Sequence, residues 1–125
     1  MDRDDVERWI EGYLRAWRTE GTALLVELFT VDATYQPSPW AEAVAGLDAI
    51  GTFWEDERDG ADEVFSETHE IVAVEGDTAV VRLQVDYGDE SVGPWRDLWV
   101  IRFDAGGRCR SFEEWPFAPP RRRAT

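Results

Sequence analysis

Asp97 and Glu114 are acidic residues set inside apolar, aromatic runs, Trp95 to Phe103 and Cys109 to Phe117. The turn residues Asp104-Ala105-Gly106-Gly107 separate the runs, so the two read as strands of one hairpin. With a loop of two or four residues, Phe103 pairs with Arg108. Trp99 then falls opposite Phe112, and Asp97 opposite Glu114. Strand alternation puts Trp95, Asp97, Trp99, Ile101 and Phe103 on one face, with Phe112 and Glu114 beside them. That face is mostly aromatic and is expected to line a pocket. Desolvation and mutual repulsion both raise a carboxyl pKa, so one of the two acids stays protonated near neutral pH. One acid and one base in a dry pocket suit proton transfer or water activation. Two conditions attach to this reading. A three-residue loop would shift the register and remove the pairing. Alternatively, Arg82, Arg96 or a backbone group neutralises the acids as a structural network.

The other candidates are fewer. Tyr13 puts a polar tip on an apolar helix stripe, which orients a ligand. His69, in Thr68-His69-Glu70, reads either as a general base or as a histidine hydrogen-bonded to a neighbouring strand. Cys109 alternates with Arg108 and Arg110 and has no sequence-evident activating partner, so it reads as an ordinary strand residue. Asp86, Asp89 and Glu90 lack metal-ligand spacing and read as solvated charge.

Composition excludes several chemistries. The chain has one histidine, one cysteine, no lysine and no asparagine. A Schiff-base or P-loop lysine, a multi-histidine metal site within one chain and an intrachain disulfide are therefore out. No metal and no organic cofactor are expected. The net charge of −14 argues, by repulsion, against nucleic acid and membrane surfaces as partners. The acidic start, Met1-Asp2-Arg3-Asp4-Asp5, and the lack of a long apolar run point to a cytoplasmic protein. Arginine without lysine suits a GC-rich, bacterial coding sequence.

The 125 residues suffice for one domain, expected over residues 1–118, with 119–125 a disordered Pro/Arg tail. Val6, Trp9, Ile10, Tyr13, Leu14 and Trp17 fall on one face of a first helix, opened by Asp4 with Glu7 and closed by Gly21. Thr22 caps a short second helix over 23–29, and 31–36 reads as a strand that Pro37-Ser38-Pro39 ends. A third helix covers about 47–58, with Ile50, Phe53 and Trp54 inward. Segments 64–74, 78–87, 94–103 and 108–117 read as four long strands in a meander. Helices followed by a meander give an α+β fold with the helices on one face of the sheet. Seven tryptophans suit a pocket for a flat apolar ligand or a core that uses Trp as filler.

This order of elements resembles the SnoaL-like branch of the nuclear transport factor 2-like superfamily. The residues that carry it are Tyr13-Leu14-Arg15-Ala16-Trp17, Leu28-Phe29, Asp32-Ala33-Thr34-Tyr35, Gly46-Leu47-Asp48-Ala49-Ile50, Phe53-Trp54, Phe103-Asp104, Gly107-Arg108 and Glu114-Trp115. The resemblance implies three N-terminal helices packed against a curved, mainly antiparallel sheet, forming a cone with an internal pocket, and often a dimer. Its members include isomerases, polyketide cyclases, epoxide hydrolases, dehydratases and non-enzymatic binding proteins. Tyr13 matches the oxyanion donor of the steroid isomerases. Their general-base Asp is replaced by Gln36 before Pro37, and their second, acidic donor by Trp99. Glu114 matches the last-strand acid of the epoxide hydrolases, and Asp97 with Arg82 or Arg96 loosely matches their Asp-Arg partnership. SnoaL-like cyclases use a His with an Asp, which His69 resembles.

Two readings follow. One is a cofactor-independent acid–base enzyme of isomerase, cyclase or hydrolase type acting on a small apolar molecule. The other is a non-catalytic ligand-binding or dimerisation module. The expected catalytic set is Asp97, Glu114, Tyr13 and His69, and the expected pocket walls are Trp17, Tyr35, Trp40, Trp54, Trp99 and Phe112. A homodimer is expected through the opposite sheet face, which carries Leu98, Val100, Cys109, Ser111, Trp115 and Phe117, broken by Arg96, Arg102 and Glu113.

Overall fold

The computed structural model describes residues 1–58, 65–88 and 93–120. Asp89 and Glu90, the first residue of the segment expected from 64, and the Arg121–Arg123 tail lie outside the described residues. The first helix, α1 (Arg3–Trp17), buries Val6, Trp9, Ile10, Tyr13 and Ala16 along its apolar stripe. Its cap is Asp2 rather than Asp4: the Asp2 carboxylate accepts from the Asp5 N–H, and Asp5 reciprocates. The helix stops at Trp17, short of Gly21. The second helix, α2 (Leu25–Leu28), is a single turn without a side-chain cap, so Thr22 does not serve as one. Then come β1 (Phe29–Gln36), β2 (Val44–Ala45), α3 (Leu47–Glu57) and the strands β3 (Ser66–Glu75), β4 (Thr78–Asp86), β5 (Trp95–Phe103) and β6 (Cys109–Phe117).

These strands form one curved, open sheet in the order β2-β1-β6-β5-β4-β3. All neighbours are antiparallel except β1 and β6, which run parallel. That parallel pair joins the helical half to the meander. The helices cover one face, and the core of Trp9, Phe29, Trp54, Ile101, Phe103 and Phe112 lies between. Among the described residues no helix is long and apolar enough to cross a membrane.

Two residues depart from their expected places. Strand alternation assigns Cys109 to the outer face of the sheet, but it is buried in the core, where burial pushes its thiol up to about 12. Arg58 reads in the sequence as the last turn of α3. It lies just past that helix and turns its buried guanidinium back onto the end of α1. It donates to the carbonyls of Ala16, Trp17, Thr19 and Gly21 at 2.8–3.1 Å and pairs with Glu55. A helix C-terminus leaves such carbonyls without intrahelical donors, and the guanidinium has donors enough for all four. Arg58 thereby ties α3 to α1.

Candidate functional site

The hairpin β5–β6 decides which side chains meet. Asp104 N–H donates to the Arg108 carbonyl and Gly107 N–H to the Asp104 carbonyl, with Gly107 at φ +86°. This is a three-residue loop ending in a left-handed glycine. Such a loop alone would slip the faces by one residue. The partners then step from Phe103↔Cys109 to Arg102↔Ser111, so Arg110 is an extra residue on β6. That bulge restores the parity that the loop removed. Trp99 pairs with Glu114 and Asp97 with Pro116, two residues away from the expected register. Asp97 and Glu114 therefore share the inner face as diagonal rather than direct neighbours.

They line a cleft of about 300 Å³ between α1, α3 and the inner sheet face. From the helices come Tyr13, Leu14, Trp17, Phe53 and Glu57. From the strands come Tyr35, Glu67, Leu83, Val85, Trp95, Asp97, Trp99, Glu114 and Pro116, with Pro37, Phe65 and Tyr87 at strand ends. Asp97 is 8% exposed. Its Oδ2 accepts from the Trp99 indole N–H at 3.3 Å, while its Oδ1 meets no N–H or hydroxyl donor among the described residues. Burial raises the Asp97 carboxyl above the usual carboxylate range. Burial also holds Glu114 well above that range, reinforced by Asp97 beside it and by the charge of Glu57. The pair thus favours holding a proton between its two carboxyls, with Glu114 the more strongly raised. Among the described residues no arginine relieves the pair. Arg82 bonds Glu70 on the exposed outer face at 2.7 Å, and Arg96 is exposed on that same face.

Beside the carboxyls, the Tyr13 and Tyr35 hydroxyls are 2.9 Å apart. Burial lifts both phenols well above their ordinary value, and the Glu114 charge adds to it. Both remain neutral hydroxyls at any physiological pH. Aromatic packing fixes them: Tyr13 lies 4.6 Å from Trp99 and 4.9 Å from Trp54 by ring centroids, and Tyr35 stacks on Phe112 at 4.6 Å.

Of the expected site residues, the cleft brings together Tyr13, Trp17, Tyr35, Asp97, Trp99 and Glu114. Trp40 is not among them; it lies in the loop after Pro39 and is 96% exposed. Trp54 and Phe112 are fully buried in the aromatic core behind the cleft and support its wall without lining it. His69 is also outside the lining. Its Nδ1 meets Glu67 at 2.5 Å and its Nε2 meets Glu7 of α1 at 2.6 Å, so neither ring nitrogen is left to act as a base in the cleft. Desolvation lowers its pKa, but the two carboxylates outweigh this and hold it above its ordinary value. Glu57 and Glu67 are two lining residues that the sequence reading misses. Glu67 has a signal, since it shares the inward parity of His69 on β3. Glu57 has none, because it ends α3 in a run of charges, Glu55-Asp56-Glu57-Arg58, that reads as a solvated face.

A larger depression of about 900 Å³ opens at the other end of α1, among Asp5, Arg8, Arg15, Asp77 and Asp104. Its acids have ordinary partners: Asp5 is held low by the Asp2 N–H and Arg8, and Asp77 by Arg110. The perturbed groups lie in the smaller cleft, which is the better candidate site. Among the described residues, no three His, Cys, Asp or Glu side chains converge as a metal-ligand set.

The pattern of the SnoaL-like domain matches residues 10–112. No curated protein matches the chain. Similar solved structures include an NTF-2 like protein of unknown function from Burkholderia xenovorans, 12% identical over 98% of this chain and 88% of that one, with a TM-score of 0.69. The epoxide hydrolase/cyclase-like enzyme SalBIII, which acts in pyran ring formation in the polyether salinomycin, is 15% identical over 93% of both chains, with a TM-score of 0.69. A steroid delta-isomerase from Pseudomonas aeruginosa is 20% identical over 94% of this chain and 82% of that one, with a TM-score of 0.66. At these identities the likeness is one of fold.

Proposed function

We propose that this chain, which belongs to the SnoaL-like domain family, binds a small flat molecule in its aromatic cleft and carries out cofactor-independent acid–base chemistry on it. The observation that carries the reading is the desolvated Asp97–Glu114 pair, which no arginine of the described residues neutralises. Protonated Glu114 is the acid and ionised Asp97 the base. Such a pair suits epoxide opening. Glu114 delivers its proton to the epoxide oxygen as a C–O bond breaks. Water, or a hydroxyl of the same substrate, attacks the carbon and gives its proton to Asp97. Transfer of that proton from Asp97 to Glu114 restores the pair. Water as nucleophile gives hydrolysis, and an internal hydroxyl gives cyclisation. The neutral Tyr13 and Tyr35 hydroxyls supply hydrogen bonds beside the reacting oxygen.

Steroid-type isomerisation fits less well. The Trp99 N–H is committed to Asp97, and the Gln36 amide to the Ala41 carbonyl at 3.1 Å. Neither position offers the cleft a carboxyl. The test is turnover of a panel of small aryl epoxides and hydroxy-epoxides by the wild type, Glu114→Gln and Asp97→Asn. Turnover lost in both folded variants supports the pair. Turnover kept in either removes that residue from the chemistry. A wild type inert throughout, with ordinary carboxyl titration, leaves a ligand-binding module.

We propose in addition that the chain pairs with a second copy through the outer face of β5 and β6. There Leu98 and Val100 are half-buried, while Trp115 and Phe117 remain exposed at 38% and 59%.

A further inference from the structure

We infer that the ligand of this cleft is an organic cation: a protonated amine carried on a flat apolar body. The inference rests on the reading of the cleft as a ligand site and adds the charge of the ligand. Its first support is the make-up of the wall. Glu57, Glu67, Asp97 and Glu114 line the cleft, and among the described residues no arginine or histidine does. Glu67 is already engaged by His69, which leaves Asp97 and Glu114 inside the cleft and the exposed Glu57 at its rim.

The second support is independent of that count. Asp97 is more than nine-tenths buried, lines the cleft, and has an Oδ1 that meets no N–H donor and no Ser, Thr or Tyr hydroxyl among the described residues, with only the Glu114 carboxyl to share a proton. A buried carboxylate oxygen without a donor is costly, and a ligand N–H is what would satisfy it. The Glu114 carboxyl is the neighbour that shares a proton with Asp97. An ammonium bound there adds a charge-assisted N–H bond to the Asp97 carboxylate, and Glu114 keeps the proton it needs as the acid.

The third support is the nature of the remaining surface. Trp17, Phe53, Phe65, Trp95 and Trp99 offer ring faces and edges, and ring faces attract cations. The protein already uses one of these rings in that way. The Arg18 guanidinium stands 4.2 Å over the centroid of Phe65, donating also to the Phe65 carbonyl. An anionic ligand would meet these carboxyls, and among the described residues no arginine lines the cleft to offset them. A neutral one would leave Asp97 Oδ1 dependent on the Glu114 proton.

Three indole compounds of one shape and different charge separate these cases: tryptamine, tryptophol and indole-3-acetate. Their affinities for the full chain are read by titration calorimetry at pH 7 in phosphate and in Tris. Tryptamine should bind at least about tenfold more tightly than tryptophol, and indole-3-acetate most weakly, since a desolvated carboxylate strengthens both N–H and cation–ring contacts. None of the three should release a proton, so each binding heat should be the same in the two buffers. In Asp97→Asn the preference for tryptamine should vanish while tryptophol binding persists. Tryptophol binding as tightly as tryptamine overturns the cation assignment and leaves the acid–base pair standing. So does a tryptamine preference that survives in Asp97→Asn. Absence of binding by all three at millimolar concentration also overturns it, while carboxyl titration of the free protein still judges the pair.

Discussion

Replacing Glu114 by Gln should stabilise the fold near neutral pH, and the gain should grow with pH. The folded chain holds the Glu114 proton more tightly than the unfolded chain does, because burial and the Asp97 carboxyl both penalise the anion. Below the unfolded value of 4.5 the group is protonated in both states and contributes no pH dependence. As pH rises above it, the unfolded chain releases the proton and the folded chain does not. The wild type then loses about 1.4 kcal/mol for each pH unit, until the folded pair itself ionises. A glutamine side chain does not titrate, so the variant escapes this loss. Its amide N–H can take over the hydrogen bond that the Glu114 proton makes to Asp97, so the contact is kept while the titration is lost. The expected net gain at pH 7 is about 1–3 kcal/mol. For a domain of this size that is a melting temperature higher by roughly 3–15 °C. Urea unfolding of both proteins at pH 4, 5, 6, 7 and 8 measures the difference directly. A difference that stays flat across that range would falsify the raised Glu114 carboxyl. NMR titration of the side-chain carboxyls gives the second reading, and two ordinary values for Asp97 and Glu114 would end the catalytic proposal.

Arg58→Ala should cost about 2–4 kcal/mol in urea unfolding, since the carbonyls of Trp17, Thr19 and Gly21 lose the guanidinium and that of Ala16 keeps only the Thr19 N–H; a loss under about 1 kcal/mol would show that water replaces it. His69 should titrate above 6.5 in the wild type and fall in Glu7→Gln/Glu67→Gln, because the two carboxylates hold its proton. Its raised pKa makes the clasp strongest below 6.5 and weaker as pH rises through the folded value. An unchanged histidine titration in the double variant would refute the clasp. Light scattering at micromolar concentration should give a mass near twice 14.3 kDa, and Trp115→Glu/Phe117→Glu should halve it. A wild-type mass of 14.3 kDa would remove the dimer.

The helices and long strands are legible in the sequence because each carries its own period. The stripe from Val6 to Trp17 can be nothing but one helix face, and the runs ending at Phe103 and starting at Cys109 are punctuated by turn residues. What escapes is the pairing between distant segments. The two-residue strand β2 has no period to read, and its partner lies across the Pro37–Pro39 loop. The parallel pairing of β1 with β6 joins residues far apart in the chain, and no local preference encodes it. The aromatic residues fail for a related reason. Trp40 and Trp54 have the same composition signal, yet one ends in solvent and the other in the core. Residue type states an affinity for apolar surroundings, and only the packed helices say which surroundings are present.

The carboxyl pair exposes the limit most sharply, because the correct face follows from two departures that cancel. An odd loop alone would have turned Glu114 to the outer face, and a bulge alone would have done the same. Gly107 makes the loop and Arg110 makes the bulge, with the Arg110 guanidinium bonded to Asp77 on the neighbouring hairpin turn at 2.8 Å. A bulged arginine held from outside its own strand is a device that keeps the parity in place. Deleting Arg110 removes the extra residue itself, so Ser111 follows Cys109 directly into regular pairing with Arg102, and Glu114 stays opposite Trp99 on the inner face. The loop and the residue count then agree without a bulge. A deletion that folds and keeps a raised Glu114 carboxyl is the expected result. One that folds with both carboxyls titrating normally would show that the bulge geometry, and not the residue count, sets the face.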